Sequence, residues 1–491
     1  MPGSGCGTDF RAWAINELFI YPGTIRGVFG NTMILEQVTS KGLAHHSYYI
    51  GSGSRAAVID PRRDSGIYLR MARESGQEIT HIFETHRNED YVSGATGLAA
   101  RCGASVFHGS ATQFGFGTPV GDGDEFTLGD LTVRVLGTPG HTLDSISLVV
   151  TDWKISTDPY LVFTGDALFA GDVGRTDLIP EIGREKASGL LYDSLFDKIL
   201  PLGDPVLVCP AHGAGSVCGL DIADHQVTTI GYERKTNPFL SLDREQFVKK
   251  KSLEHNYYPP YFKTMERKNT GGAGEFYHLP DLTPLSPARI LEKGRTGAQV
   301  LDIRAPTSYA GGHIRGSLCI WREGLPAFMG WFLNYDDPIL IIDDFNLEQG
   351  PVVRDFVRLG YENISGYLAG GFPAWMKSGE EIASQSAWPV HALKELLDSG
   401  SHDHILIDVR DIHNRQKVGH IAGDRHIYVG ELPGRIDEVP RDTRVFLYCD
   451  AGFKGCLAGS ILERAGYRSV TNILGGMTGW IAAGFPVEKN E

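Results

Sequence analysis

The sequence predicts an α/β protein in which one large layered domain is followed by two small domains with parallel sheets. In the first half, short apolar runs of strand type each end in a tight turn that carries a side chain able to bind a metal ion. In the second half, a strand pattern recurs after about 106 residues, which indicates two like domains. The length of 491 residues suits about two to four domains.

Composition argues against several classes of function. The net charge of −14 makes nucleic acid or an anionic membrane an unsuitable main partner. The seven cysteines are an odd number in a long chain, so we expect free thiols in a reducing cytosol and not a disulfide framework. No apolar run reaches the ~18 residues of a membrane span. Residues 1–32 show no secretory signal, so we expect a cytoplasmic protein.

The stretch 81–94 carries the strongest signal for function. An apolar run ends at Phe83, and His86, Asn88 and Asp90 then follow at alternate positions. A strand that stops and presents such side chains at its carboxyl end is suited to hold a metal ion. The alternative for this segment alone is a surface turn with incidental polar residues.

Three later strands end in the same way. The runs 131–136, 160–163 and 205–208 lead into His141, Asp166 and His212. Each residue by itself is more often a buried, hydrogen-bonded side chain. Four such endings within one predicted domain favour a common metal site.

These four segments resemble the metallo-β-lactamase fold, an αββα sandwich with its metals at the strand ends. The matching residues are Thr85-His86-x-Asn88-x-Asp90-Tyr91, Gly140-His141, Thr164-Gly165-Asp166 and Ala211-His212. The full signature of the family is His-x-His-x-Asp-His, and here Asn88 and Tyr91 replace two of its histidines. The resemblance therefore implies a depleted second metal site.

His86, His141 and Asp166 remain complete. Two imidazoles and one carboxylate form the facial triad of non-haem Fe(II) oxygenases, which leaves positions open for substrate and O₂. Within the superfamily the chain most resembles the persulfide dioxygenases, including their Gly-Arg-Thr-Asp segment at residues 174–177. The resemblance implies one Fe(II) per chain and oxidation of a thiol persulfide to sulfite.

The same resemblance assigns supporting roles to neighbouring side chains. Asp90, Asn88 and His212 are expected to orient the ligands by hydrogen bonding. Tyr91 is expected to hydrogen-bond near the open positions. Arg175 either binds an anionic substrate or pairs with carboxylates of the protein itself.

Two more residues are candidates with open alternatives. Cys218 follows His212 closely and either carries a persulfide or is a small buried hydrophobic residue. Tyr232 is a candidate for lining the substrate pocket.

The repeat in the second half resembles the rhodanese fold, a small α/β domain with a parallel sheet. Residues 300–304 precede Gly312-His313-Ile314, as residues 406–410 precede Gly419-His420-Ile421. We predict domains at 33–280, 281–385 and 386–491, after an N-terminal extension of residues 1–32.

The two copies differ at the position of the chemistry. In the second copy a strand ends at Cys449-Asp-Ala-Gly-Phe-Lys454, with a helix expected from about Cys456. Rhodaneses place their nucleophile in such a loop, where backbone N–H groups and the helix N-terminus lower the pKa of the thiol. Cys449 is therefore the predicted sulfur acceptor. Lys454 stands where the family usually has Arg, and it is a predicted substrate-binding residue.

In the first copy the equivalent strand runs into Asp343-Asp344, without a cysteine. We expect this copy to be catalytically silent and to serve as a packing surface, in the chain or in a homo-oligomer (a dimer or tetramer).

The leading hypothesis is a fused enzyme of sulfide metabolism. Its iron domain oxidises the persulfide of glutathione, coenzyme A or a similar thiol with O₂, and its Cys449 domain moves sulfane sulfur, with sulfite or thiosulfate as products. The alternative is a zinc-dependent thioester hydrolase resembling glyoxalase II, which requires the two replaced histidines. A non-enzymatic sulfur carrier with a vestigial metal site is a third hypothesis.

Overall fold

The computed structural model describes residues 24–29, 33–225, 227–274, 276, 278–346 and 348–489. Most of the predicted N-terminal extension lies outside these residues. The chain divides into two compact units, one comprising the chain up to Tyr257 with Met265–Tyr277, the other Tyr258–Thr264 with His278–Glu491. The predicted domain boundaries stay predictions.

The first unit contains two mixed sheets. Seven strands form one sheet in chain order: β1 (Thr24–Phe29), β2 (Met33–Ser40), β3 (His45–Ser52), β4 (Arg55–Ile59), β5 (Glu78–Glu84), β6 (Ser105–Gly109) and β7 (Thr118–Val120). The other sheet has the order β13-β12-β11-β10-β9-β8, built from β8 (Glu125–Leu128), β9 (Leu131–Gly137), β10 (Ile146–Asp152), β11 (Leu161–Gly165), β12 (Leu207–Pro210) and β13 (Thr228–Thr229). Strand β1 falls within the segment assigned to the extension and pairs antiparallel with β2.

The helices of this part of the chain lie between and after these strands in the sequence. They are α1 (Gly66–Ser75), α2 (Ala95–Cys102), α3 (Arg184–Asp193), α4 (Ile230–Thr236), α5 (Arg244–Ser252) and α6 (Phe262–Gly271). A π-helical stretch, Ser194–Ile199, and a 3-10 turn, Leu200–Leu202, continue α3.

The main core of this unit lies between the two sheets. Alternating apolar side chains of both sheets meet there, among them Ile50 and Phe83 from one and Leu148 and Phe163 from the other. The opposite faces are covered by helices, α1 and α2 on the first sheet and α3 and α5 on the second. The predicted αββα sandwich is confirmed.

The second unit contains two five-stranded parallel sheets with the same strand order. One has the order β14-β18-β17-β15-β16, from β14 (Pro284–Leu285), β15 (Gln299–Asp302), β16 (Leu318–Cys319), β17 (Ile339–Ile342) and β18 (Ile364–Leu368). The other has the order β19-β23-β22-β20-β21, from β19 (Ser386–Pro389), β20 (His404–Asp408), β21 (Arg425–His426), β22 (Arg444–Tyr448) and β23 (Val470–Leu474).

Helices flank both of these sheets. They are α7 (Pro287–Arg295), α8 (Pro306–Gly311), α9 (Leu325–Phe332), α10 (Gln349–Arg358), α11 (Gly371–Met376), α12 (Val390–Asp398), α13 (Ile412–Val418), α14 (Phe453–Arg464) and α15 (Gly476–Ala482), with 3-10 turns at Arg322–Gly324 and Leu432–Glu438. Helix α14 begins at Phe453, three residues before the predicted start. The prediction of two like domains with parallel sheets is confirmed.

Among the described residues there is no helix with the length and hydropathy that a bilayer span requires.

Candidate functional site

The first candidate ligand, His86, lies just beyond the end of β5. Thr85 donates its N–H and its O–H to Asp60, at 2.7 and 2.8 Å, so the hydroxyl oxygen accepts from His86 Nδ1 at 2.9 Å. This arrangement leaves the lone pair of His86 on Nε2. Burial lowers the pKa of His86 to about 3, so its ring is neutral at pH 7, the state that binds a metal.

His141 is held in the equivalent state from the opposite sheet. It lies in the loop between β9 and β10, where its Nδ1 donates to the backbone carbonyl of Arg175 at 3.0 Å. Its Nε2 therefore carries the lone pair. Burial lowers the pKa of His141 as well.

Asp166 completes the predicted triad. It follows β11 directly, after Gly165, whose φ of 52° and close approach to Thr85 leave no room for a side chain. Asp166 Oδ2 lies 3.7 Å from His86 Nε2 and 3.4 Å from His141 Nε2. The three predicted ligands converge on one buried point.

His212 anchors this carboxylate from behind. Its Nδ1 lies 2.7 Å from Asp166 Oδ1, and its Nε2 lies 2.9 Å from Asp90 Oδ2. Burial by itself lowers the pKa of His212, but Asp166 and Asp90 together raise it well above its usual value. Burial opposes ionisation of Asp166, yet His212 and His86 hold the pKa of this carboxyl far below its usual range. The geometry matches the orienting role predicted for His212 and Asp90.

The two residues that replace histidines of the signature have different surroundings. Asn88 Nδ2 is directed to Glu84 and to the carbonyl of His86, at 3.4 and 3.2 Å. Tyr91 is fully buried, and its ring stacks on His45 with 3.8 Å between centroids. Its hydroxyl has no hydrogen-bond partner among the described residues.

Glu89 is a residue that the sequence analysis missed. It is fully buried, and its Oε2 lies 3.8 Å from His141 Nε2. Its other oxygen, Oε1, accepts from Arg87 Nη2 at 3.1 Å. The atoms of His86, Glu89 and His141 are close enough to share one ion. Because Glu89 occupies a variable position of the signature, no motif signal indicates it.

Asn269, on α6, was also missed. It is buried and accepts from Ser93 N–H at 2.9 Å, and its Nδ2 donates to the carbonyls of Asn88 and Tyr91 at 2.7 Å each. This one amide therefore fixes the backbone of the loop that carries His86 and Glu89. The separation of about 180 residues explains why no local pattern indicated it.

Cys218 lies beside the cluster. Its Sγ is within 4.8 Å of a ligand atom of both His141 and Asp166. The side chain also packs in a small apolar group with Phe169 and Ile222. Burial, followed by the nearby Asp90 and Asp166, raises the pKa of Cys218 well above its usual value.

Arg175 is buried and its guanidinium is used within the protein. It forms a two-point ion pair with Asp177 at 2.8 Å and donates to the carbonyls of Val217 and Tyr257. This favours the structural alternative over binding of an anionic substrate. Tyr232 lies on α4 with 49% of its surface exposed and its ring against His225. Among the described contacts, none joins it to the metal cluster.

A metal ion fits the buried cluster. His86 Nε2, His141 Nε2 and Glu89 Oε2 are buried without a hydrogen-bond partner in the described part of the chain. A buried polar atom without a partner lowers the stability of the fold by about 1–3 kcal/mol. Three such atoms that face one point indicate that they bind a cation. Ligands at about 2.1 Å from an ion lie roughly 3–3.5 Å apart, close to the observed 3.4 and 3.7 Å. Neutral imidazoles with carboxylates suit iron or zinc.

The second candidate site is the loop after β22. Cys449 is 1% exposed, and Gly452 N–H donates to its Sγ at 3.1 Å. Burial raises the pKa of Cys449, and this outweighs Lys454 and the N–H groups of the loop, which act in the opposite direction. The predicted lowering of this pKa is therefore wrong, because the sequence does not show how deeply the thiol is buried. Lys454 Nζ lies 2.8 Å from Asp450 Oδ2, at the same loop.

Comparison with known proteins agrees with this architecture. The family model described as metallo-beta-lactamase superfamily matches residues 41–212, and that described as rhodanese-like domain matches residues 287–378 and 389–483. One similar solved structure is that of a metallo-beta-lactamase from Staphylococcus aureus subsp. aureus COL, with 31% sequence identity and a TM-score of 0.62. The match covers 69% of this chain and 99% of the Staphylococcus aureus chain. This chain belongs to the metallo-β-lactamase superfamily. It carries two rhodanese-like domains after the metallo-β-lactamase fold.

Two curated relatives of this chain have names that state different activities. The mitochondrial persulfide dioxygenase ETHE1 of Homo sapiens is 28% identical over 230 residues, 46% of this chain and 82% of the relative. A hydroxyacylglutathione hydrolase of Brucella anthropi is 31% identical over 210 residues, 38% of this chain and 75% of the relative. Because the two names state different activities, the choice between them depends on the metal cluster.

Proposed function

We propose that the chain is a non-haem Fe(II) persulfide dioxygenase fused to a rhodanese-type sulfurtransferase. Its substrates are O₂ and the persulfide of a small thiol such as glutathione or coenzyme A, and its products are sulfite or thiosulfate. The free thiols among the described cysteines fit a reducing cytosol.

One observation carries the proposal. His86, His141 and Asp166 converge with both imidazole Nε2 atoms directed at the same carboxylate oxygen. The second metal site of the family signature is depleted, since Asn88 and Tyr91 replace two of its histidines. Two imidazoles and a carboxylate with open positions suit a mononuclear Fe(II) oxygenase.

The chain's own groups have defined tasks in this reaction. Thr85 and the Arg175 carbonyl hold the two imidazole rings in the tautomer that presents Nε2. His212 keeps Asp166 ionised and oriented. The unpartnered Tyr91 hydroxyl is available to donate a hydrogen bond to the substrate. Bound Fe(II) would supply the electron chemistry that makes O₂ reactive toward the persulfide sulfur.

Glu89 adds a carboxylate to this set. Its unpartnered Oε2 beside His141 makes it a further metal-binding group or a base at the open positions. Two imidazoles with carboxylates are a donor set that Fe(II) uses in non-haem oxygenases. Glu89→Gln keeps the shape and removes the charge, and it is expected to weaken iron binding about 10- to 100-fold.

The test is elemental analysis of full-length protein purified anaerobically, with O₂ uptake on glutathione persulfide and coenzyme A persulfide. We expect about one iron per chain, which is the stoichiometry of a single facial triad. His141→Ala should lose both iron and O₂ uptake, yet keep sulfur transfer at Cys449. His81→Gln is the matched control, because His81 lies on β5 with its ring against Phe83 and Phe107. Loss of both activities in His141→Ala would contradict the proposed independence of the two sites.

Zinc-dependent thioester hydrolysis is the second candidate, and one observation favours it. Asp90, His212 and Cys218 bring three further ligand atoms within 4.8 Å of one another, next to the first cluster. A second ion bound there would give a binuclear site. Two zinc ions per chain, hydrolysis of a glutathione thioester and no O₂ uptake would establish this activity and exclude the dioxygenase.

A further inference from the structure

A cavity opens beside the Cys449 thiol, within the second unit. It encloses about 350 Å³. The loop and the start of α14 form one side, with Cys449, Phe453 and Lys454. Trp321 and Phe328 form the other side, and both belong to the rhodanese-like copy that has Asp343 in place of the nucleophilic cysteine. The copy without a nucleophile therefore forms part of the wall around the nucleophile of the other copy.

Three aromatic rings make this wall predominantly apolar. The Trp321 ring lies edge-on to Phe453 with 5.1 Å between centroids, and 5.4 Å from the Phe328 ring. Phe453 is 41% exposed, although it stands four positions after Cys449. Gly324 lies directly against the Trp321 indole, since a Cβ there would be 2.6 Å from a ring atom. Partly exposed aromatic surface next to a reactive thiol indicates a binding surface for an apolar group.

The charges at the cavity do not favour a small dianion. Lys454 is the cation of the lining, and its Nζ lies 2.8 Å from Asp450 Oδ2 and 3.7 Å from Asp411 Oδ2. Two carboxylates around one ammonium group leave no surplus of positive charge for an anion. Like-charge juxtaposition then disfavours a dianion such as thiosulfate.

We propose that this cavity binds an organic persulfide or thiol that carries an aromatic ring, in preference to thiosulfate, and that the copy without a nucleophile supplies Trp321 and Phe328 for this purpose. The proposal rests on the proposed sulfurtransferase function for its reaction, but the binding preference is a property of the cavity alone.

The transfer step conserves atoms and electrons. The Cys449 thiolate attacks the outer sulfur of the persulfide RSSH, so that a new S–S bond forms on Cys449. The S–S bond of RSSH breaks, and its electron pair leaves with RS⁻. The proton lost from Cys449 goes to RS⁻, so one thiol and one persulfide give one persulfide and one thiol. No external oxidant or reductant takes part.

Alkylation of Cys449 tests the preference without turnover. Full-length protein is treated with iodoacetanilide, iodoacetamide or iodoacetate, which share one reactive group and carry a ring, a neutral amide or an anion. Peptide mass spectrometry follows Cys449, and each rate is divided by that of the same reagent with free 2-mercaptoethanol. We expect iodoacetanilide to exceed iodoacetamide by about tenfold, the effect of one well-placed aromatic contact, and iodoacetate to be the slowest.

Substitutions assign the preference to the wall. Trp321→Ala should reduce the ratio of iodoacetanilide to iodoacetamide to near unity, and Trp321→Phe should retain most of it. Phe345→Ala is the matched control, because Phe345 is an aromatic residue of the same copy with 69% exposure and is not part of the cavity wall. This variant should keep the wild-type ratio.

The outcomes separate the two proposals. A wild-type ratio near unity, or a ratio that Trp321→Ala leaves unchanged, would refute the aromatic preference. Sulfur transfer to cyanide from coenzyme A persulfide, whose adenine supplies the aromatic ring, is measured separately as thiocyanate. If no thiocyanate forms but the alkylation ratios behave as expected, the cavity preference stands and the sulfurtransferase function fails.

Discussion

The two rhodanese-like copies share a parallel sheet and a buried aspartate–arginine ion pair, which together form the frame of each copy. They differ at the position of the nucleophile. In each, the aspartate that ends β15 or β20 pairs with the arginine two residues later, Asp302 with Arg304 and Asp408 with Arg410. The arginine also donates at 2.7 Å to the carbonyl of a glycine, which is Gly312 in one copy and Gly419 in the other. These contacts are buried and close the same turn in both copies.

The register shows which residues correspond. Ile342 pairs with Asp302 as Tyr448 pairs with Asp408, so Asp343 occupies the place of Cys449. In the first copy, Asp343 Oδ2 pairs with Arg322 at 2.7 Å.

The comparison teaches that the frame and the chemistry are separable. The ion pair and the parallel sheet specify the fold, and a single residue at the strand end decides whether a nucleophile is present. The copy without the nucleophile has the same frame and provides two aromatic side chains to its neighbour.

The largest expected effect concerns this strand-end position. Cys449→Ser should reduce sulfur transfer to cyanide by about a thousandfold or more, because the hydroxyl cannot carry sulfane sulfur. Asp343→Ser changes the equivalent position and should leave the rate unaltered. Thiocyanate formation measures both, and a loss of transfer in Asp343→Ser would mean that the first copy takes part in the chemistry.

The second prediction concerns the ion pairs of the frame. Asp408 contacts two arginines, Arg410 and Arg415, whereas Asp302 contacts Arg304. Asp408→Asn should lower the free energy of local opening of β20 by about 3–5 kcal/mol, since it leaves the buried Arg410 guanidinium without its carboxylate partner, while Arg415 keeps Asp424. Asp302→Asn should lower the free energy of local opening of β15 by a smaller amount. Native-state hydrogen exchange of the strand amides measures both, and equal losses would show that the second arginine contributes nothing.

The third prediction concerns two glycines with left-handed backbone. Gly476 (φ 49°) lies against the Cys449 carbonyl and Gly371 (φ 63°) against the Asp344 carbonyl, and a Cβ would approach these oxygens to 2.2 and 2.0 Å. Alanine at either position should cost about 1–3 kcal/mol of stability. Only Gly476→Ala should also slow sulfur transfer, because it displaces the Cys449 loop. Denaturation and thiocyanate formation are the two measurements.

The smallest expected effect concerns the pH dependence of the thiol. Burial raises the pKa of Cys449, and Lys454 partly opposes this rise. Since the thiolate is the nucleophile, its alkylation by iodoacetamide should increase with pH from neutrality to above the usual thiol pKa. Lys454→Met should raise the pKa further and slow alkylation at pH 7 by about three- to tenfold. Lys377→Met, at an exposed position of the other copy, should leave the profile unchanged.

Much of the site could be predicted because its signals are local. A buried strand, a tight turn and one polar side chain occur within a few residues, so His86, His141 and Asp166 were identifiable before their contacts were known. Other parts of the site depend on distant segments. Glu89 occupies a variable position of its motif, and Asn269 reaches the metal loop from α6.

The sequence by itself determined the fold class, the repeat, the convergent strand ends and the position of the nucleophile, since turn chemistry and period-two patterning act over short stretches of chain. Only the tertiary structure decided the engagement of Arg175 with Asp177, the raised pKa of Cys449 and the aromatic wall that Trp321 contributes. Burial and electrostatic partners arise from packing between residues far apart in sequence, and desolvation depends on that packing.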